Sequence, residues 1–97
     1  MNQHKPVYWK VNEPKKFSTA VSNLPRQIKQ RYLERIDNMV HSENPIDRSD
    51  KWERTRYGLV WMARLSDYYR FSYLPDHKNR VIHLIRIGGH KEVGTEK

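Results

Sequence analysis

Leu59 to Leu65 and Tyr69 to Tyr73 each carry an apolar or aromatic side chain at every second residue, and a single short interruption, Ser66-Asp67-Tyr68, divides the two runs. Period-two alternation is what a strand with one buried face requires, so the segment is predicted to be a β-hairpin. Leu59, Trp61, Ala63 and Leu65 fall on one face, with Val60, Met62 and Arg64 on the other. In the second strand Tyr69, Phe71 and Tyr73 alternate with Arg70 and Ser72. Loop length then fixes the register. A three-residue loop sets Leu65 opposite Tyr69, Ala63 opposite Phe71 and Arg64 opposite Arg70, whereas a two-residue loop would turn Arg70 onto the core face. Facing residues lie roughly 5 Å apart at Cβ, and like charges placed so are destabilising. An anion held between the two arginines would offset that cost; splaying of two surface side chains is the alternative.

The whole chain favours an anionic partner. Its 97 residues hold 19 Lys and Arg against 11 Asp and Glu, a formal charge of +8. Nucleic acid is the leading candidate, because neutralised phosphates release counterions and supply affinity without specific contacts. The length suits one domain, residues 1–97, with one modest core. Cysteine is absent, which excludes disulfides and thiolate zinc sites. No run approaches the roughly 18 apolar residues of a membrane span, and the chain is read as cytoplasmic.

The N-terminal half is predicted to be helical after a first strand, Val7 to Val11. Asn12-Glu13-Pro14 marks a helix start, and Phe17, Ala20, Val21 and Leu24 follow at helical spacing. Pro25 breaks that helix or opens the next. From Arg26 to about Ser42 the stripe Ile28, Tyr32, Leu33, Ile36, Met39 and Val40 gives a second helix with one buried face. A helical hairpin over residues 13–42 should therefore pack on one face of the sheet, with Trp61, Phe71, Leu33 and Ile36 in the core. The fold class is α+β: a small, mainly antiparallel twisted sheet on an N-terminal two-helix hairpin.

Val81 to Ile87 is the most apolar strand and is expected to be central. Gly88-Gly89 ends it, and His90-Lys91 follows. Parity counted from Arg86 points His90 to the Arg86 side, unless a bulge at either glycine reverses it. Arg64, Arg70, Arg86 and His90 then make a cationic face with Asp67 as the acid near them.

Together, Val7-Tyr8-Trp9, the hairpin with Leu24-Pro25, the run Arg64-Leu65-Ser66-Asp67-Tyr68-Tyr69-Arg70-Phe71-Ser72-Tyr73 and the segment Leu84-Ile85-Arg86-Ile87-Gly88-Gly89-His90-Lys91-Glu92-Val93 resemble the RelE/ParE superfamily of toxins from bacterial type II toxin–antitoxin systems. The resemblance covers nearly the whole chain. It implies a basic sheet face that binds RNA, a cognate antitoxin that folds over that face, and, in the RelE branch, metal-independent cleavage of messenger RNA in the ribosomal A site. The ParE branch shares the fold and inhibits gyrase, and a catalytically silent RNA- or antitoxin-binding module is the third reading.

Carried across by position, the resemblance assigns catalysis to Arg64, Arg70 and His90. A lysine of some RelE proteins falls near Met62, and the tyrosine often found after Glu-Val is Gly94 here, so the general base is left open. The implied reaction is attack of a ribose 2′-hydroxyl on the adjacent phosphate. Guanidinium groups suit the phosphorane because they present a fork of donors and stay charged, and His90 suits protonation of the leaving 5′-oxygen. Arg54, Arg56, Arg86 and Lys91 are expected to meet RNA, with Tyr68, Tyr57 and Trp52 available to stack on bases. The five histidines show no metal-ligand spacing, so neither a metal site nor a cofactor is expected. Asp76-His77 is read as turn chemistry.

Overall fold

A computed structural model describes residues 5–95. Its order is β1 (Lys10–Asn12), α1 (Lys15–Ser22), α2 (Arg26–Val40), β2 (Lys51–Thr55), β3 (Gly58–Arg64), β4 (Arg70–Asp76), β5 (Val81–Gly88) and α3 (His90–Val93). The five strands form one sheet ordered β1-β5-β4-β3-β2, antiparallel except where β1 runs parallel to β5. Helices α1 and α2 cover one face, as the α+β reading requires. No helix among the described residues is long and apolar enough to cross a membrane.

The core follows strand parity. Ala63, Leu65, Phe71, Tyr73, Ile82, Leu84 and Ile87 bury their side chains against Phe17, Val21, Ile28, Tyr32 and Met39 of the helices. At about 25 cal/mol per Å² of apolar surface removed from water, each large member contributes on the order of 1.5–3 kcal/mol. The helix starts differ from expectation in detail. Pro14 and Pro25 stand directly before the first helical residues, and neither helix has a side-chain cap. Glu13 is tied elsewhere, accepting hydrogen bonds from Tyr32 Oη at 2.6 Å and from the Ser18 hydroxyl.

Four expectations are corrected. The first strand is Lys10–Asn12 rather than Val7 to Val11, because β1 pairs only with Val81, Ile82 and His83 at the start of β5. Val7 is consequently exposed, whereas Trp9 is buried and donates its indole N–H to Ser42 O at 2.9 Å. Leu33 is 52% exposed: the apolar stripe on α2 is wider than the strip of sheet beneath it, and Tyr32 and Ile28 take the buried side. Trp61 and Ile36 pack on the core as partly buried residues, so only Phe71 of the four expected core residues is fully buried. Finally, β4 is the middle strand, with β5 between it and β1.

A buried ionic network locks α2 to the start of β2. Asp50, the residue before β2, accepts two hydrogen bonds from the Arg35 guanidinium, at 3.0 and 2.6 Å, and a further one from the Tyr73 hydroxyl. Burial first, and the neighbouring Asp50 carboxylate second, push the Tyr73 phenol far above its usual range. Tyr73 is therefore a neutral donor at any working pH.

Candidate functional site: a cationic sheet face

The face turned away from the hairpin is built by the β3–β4 hairpin and its neighbour β5. Leu65 N–H donates to Tyr69 O at 2.8 Å, closing the three-residue loop, and Arg64 pairs directly with Arg70. Arg70 in turn pairs with Gly88, and Met62, Ser72 and Arg86 form the next row across the same strands. A bulge positions Arg86: Ser72 pairs with Arg86 but Tyr73 pairs with Leu84, which leaves Ile85 extra. The extra residue lets Leu84 and Ile87 enter the main core while Ile85 and Arg86 keep to the opposite side. Ser72 secures the bulge, its Oγ accepting the Arg86 N–H at 3.1 Å.

Part of this face is covered. Val93 of α3 packs on Val60 and Met62, with Leu74 and Ile85 around them, as a second small cluster. The turn into α3 depends on close approach. Gly88 has φ +144°, and a Cβ there would meet the Glu92 side chain at 2.6 Å. Glu92 Oε1 accepts the Gly89 N–H at 2.9 Å, fixing the helix start. A Cβ on Gly89 would come within 2.4 Å of the Tyr68 ring, so the hairpin tip lies against the residue before His90.

Beside the covered part, a cavity of about 180 Å³ is lined by Ser49, Lys51, Glu53, Met62, Arg64 and Arg70. Asp67 organises the two arginines. Its carbonyl accepts from Arg70 Nη2 at 3.0 Å, and its carboxylate lies 3.8 Å from Arg64 Nη2. Arg70 Nε is buried and has no hydrogen-bond partner. A buried donor without an acceptor costs about 1–3 kcal/mol, and an anion in the cavity would remove that penalty. Three cations against one carboxylate in a small concavity is an arrangement for binding phosphate.

No family model matches the sequence, and no curated protein matches it. The fold does find a match: a chain of the crystal structure of an archaeal RelE–RelB complex from Pyrococcus horikoshii OT3 superposes with a TM-score of 0.67 at 25% identity, over 84% of this chain and 94% of that one. The chain is RelE-like.

In this RelE-like fold the expected site residues separate into groups. Arg64 and Arg70 meet at the cavity. Arg86 shares their face, but its guanidinium lies 4.1 Å over the Tyr57 ring. Arg86 foremost, with Arg56 adding to it, holds the Tyr57 hydroxyl below the usual phenol range. His90 opens α3, is exposed, and places Nδ1 2.9 Å from Thr95 Oγ1; it does not line the cavity. Arg56 and Lys91 lie together where the β2–β3 turn closes on α3, with Arg56 Nη2 donating to Lys91 O at 2.8 Å. Tyr68 is exposed at the hairpin tip.

Arg54 is not brought to this face. It pairs with Leu59, on the parity of Trp52, whose ring packs on Trp61 with centroids 5.3 Å apart. The β2 residues that share the arginine face are Lys51 and Glu53, opposite Met62 and Val60. Sequence reasoning missed both. The available signal was the opposite parity of Lys51-Trp52-Glu53-Arg54, read through the tight Arg56-Tyr57 turn that sets Thr55 against Gly58.

Proposed function

We propose that this RelE-like chain is the toxin of a toxin–antitoxin pair and an endoribonuclease that cuts messenger RNA in the ribosomal A site. The observation that carries the reading is the facing pair Arg64 and Arg70 on a phosphate-sized cavity, with a buried donor of Arg70 left without an acceptor. In this reading the two guanidiniums grip the scissile phosphate and stabilise the charge that builds on its oxygens as the ribose 2′-oxygen attacks. His90, exposed at the start of α3, protonates the leaving 5′-oxygen. Tyr68 stacks on a splayed base.

An antitoxin is the natural partner. The structural neighbour was solved as a RelE–RelB complex, and a +8 chain with an open cationic face offers an acidic segment a complementary surface. Antitoxin residues that fill the Arg64–Arg70 cavity would block RNA from it.

The reading is tested by incubating the purified protein with one messenger, free and on programmed ribosomes. Cleavage confined to the ribosome-bound messenger, at the A-site codon, is expected. Intact messenger together with inhibition of gyrase supercoiling would replace this reading with a gyrase-directed toxin; intact messenger with salt-sensitive RNA binding would leave only a binding module.

A further inference from the structure

A strand at the edge of a sheet carries an open row of N–H and C=O groups, a template on which another strand can form. β2 ends the sheet and pairs with β3 alone, so one backbone edge of Lys51–Thr55 is left open. Charged side chains on such an edge ordinarily keep copies apart, and Lys51, Glu53 and Arg54 look at first like that device. Trp52 argues otherwise. Its half-exposed ring lies on the helix side of β2 and meets Trp61 with centroids 5.3 Å apart, and Leu59, two residues from Trp61, is exposed as well. An apolar patch at an open edge fits a covering strand with the same alternation, aromatic on one face and charged on the other.

The chain's own β2 has that pattern. Two copies paired antiparallel, with both helix layers on the same side of the joined sheet, need a two-fold axis at one residue of the strand. An axis at Lys51, Glu53 or Arg54 sets that charge against its own copy, which is destabilising. An axis at Thr55 draws the turn residues Arg56 and Tyr57 into the ladder. An axis at Trp52 sets Lys51 opposite Glu53 of the second copy and Glu53 opposite its Lys51, so both pairs attract. Trp61, Trp52 and their two copies then form one aromatic row across four strands.

We infer that the protein forms a two-fold dimer through β2, joining two five-stranded sheets into one, with Trp52 on the axis and Lys51 paired to Glu53 of the second copy. The inference does not rest on the nuclease reading. It does bear on the site, because Lys51 and Glu53 both line the Arg64–Arg70 cavity. The second copy therefore brings a carboxylate and an ammonium to the rim of each cavity, and the two cavities open on the same face of the joined sheet.

Sedimentation equilibrium of the purified protein and its variants is the test, with circular dichroism to show that each is folded. The wild type should show a concentration-dependent equilibrium between monomer and dimer that weakens as salt is added. Lys51→Glu and Glu53→Lys each turn both attractive pairs into like-charge pairs and should raise the dimer dissociation constant about tenfold or more. An equimolar mixture of these two variants again sets opposite charges across the axis and should associate as the wild type does, a rescue that no effect confined to one copy could produce. Trp52→Ala should remove the dimer. A wild type that stays monomeric up to its solubility limit overturns the inference. So does a dimer that survives either charge reversal, one whose loss is not repaired by mixing, or one that is unaffected by Trp52→Ala.

Discussion

Arg64 and Arg70 stand directly opposite each other in adjacent antiparallel strands, and Asp67 in the loop between them touches both. A cross-strand pair of like charges lowers stability by about 0.2–1 kcal/mol relative to a neutral pair. Arg64→Thr should therefore fold at least as stably as the wild type in urea titration while losing messenger cleavage. Arg70→Ala should lose about 10²–10³-fold in cleavage, the common cost of one transition-state donor. Arg70→Lys should recover little of it, because an ammonium lacks the guanidinium fork.

Asp50 joins the site to the core. Its side chain is fully buried and bonded to Arg35 and Tyr73, and Lys51 and Glu53 follow it one and three residues along the chain. Asp50→Ala leaves Arg35 without its carboxylate and should cost about 3–5 kcal/mol by chemical denaturation. Because β2 then loses its anchor, cleavage should fall as well even under conditions where the variant remains folded.

How much of this was legible in the sequence depended on whether an element carried its own periodicity. The β3–β4 hairpin did: alternation on both sides of a three-residue loop leaves one register, and Ala63 against Phe71 and Arg64 against Arg70 follow from it. The helical stripes of α1 and α2 were equally plain, but which part of a stripe meets the sheet depends on how the helices lie across it, and Leu33 fell outside. Helix α3 has four residues, too few for any pattern, so the cover that Val93 gives Val60 and Met62 was invisible. The bulge at Ile85 was equally silent, since one extra residue in an apolar strand changes no composition. Lys51 and Glu53 were hidden for a related reason: their face depends on β2 pairing with β3, and Trp52 and Arg54 on the other parity look more like RNA ligands.

The contact between Gly89 and Tyr68 offers a packing test. Gly89→Ala puts a methyl into the Tyr68 ring and should cost about 1–3 kcal/mol as the hairpin tip is pushed away. Adding Tyr68→Ala should recover most of that loss, so a double-mutant cycle of thermal unfolding should give a large favourable coupling. Additive effects would mean that the two residues do not touch.

A pH effect is expected at the β4–β5 turn. Asp76 accepts hydrogen bonds from the Asn79 side-chain amide at 2.9 Å and from the Asn79 and Lys78 N–H groups at 3.2 and 3.1 Å. These bonds, the Asn79 amide foremost, hold its carboxyl below the usual carboxylate range. A depressed folded-state value stabilises the fold above the unfolded value, about 3.9 for aspartate, and the contribution is lost as the pH falls through the folded value. Asp76→Ala should thus melt below the wild type at neutral pH, and the gap should narrow as the pH falls below about 4.

The chemistry of the messenger ends tests the central claim most directly. Mass analysis of fragments from programmed ribosomes treated with the wild-type protein should show a 2′,3′-cyclic phosphate on the upstream piece and a 5′-hydroxyl on the downstream piece, both at the A-site codon, and Arg70→Ala should leave the messenger whole over the same interval. Messenger left intact by the wild type, ends bearing a 5′-phosphate, or equal cleavage by Arg70→Ala would contradict the account.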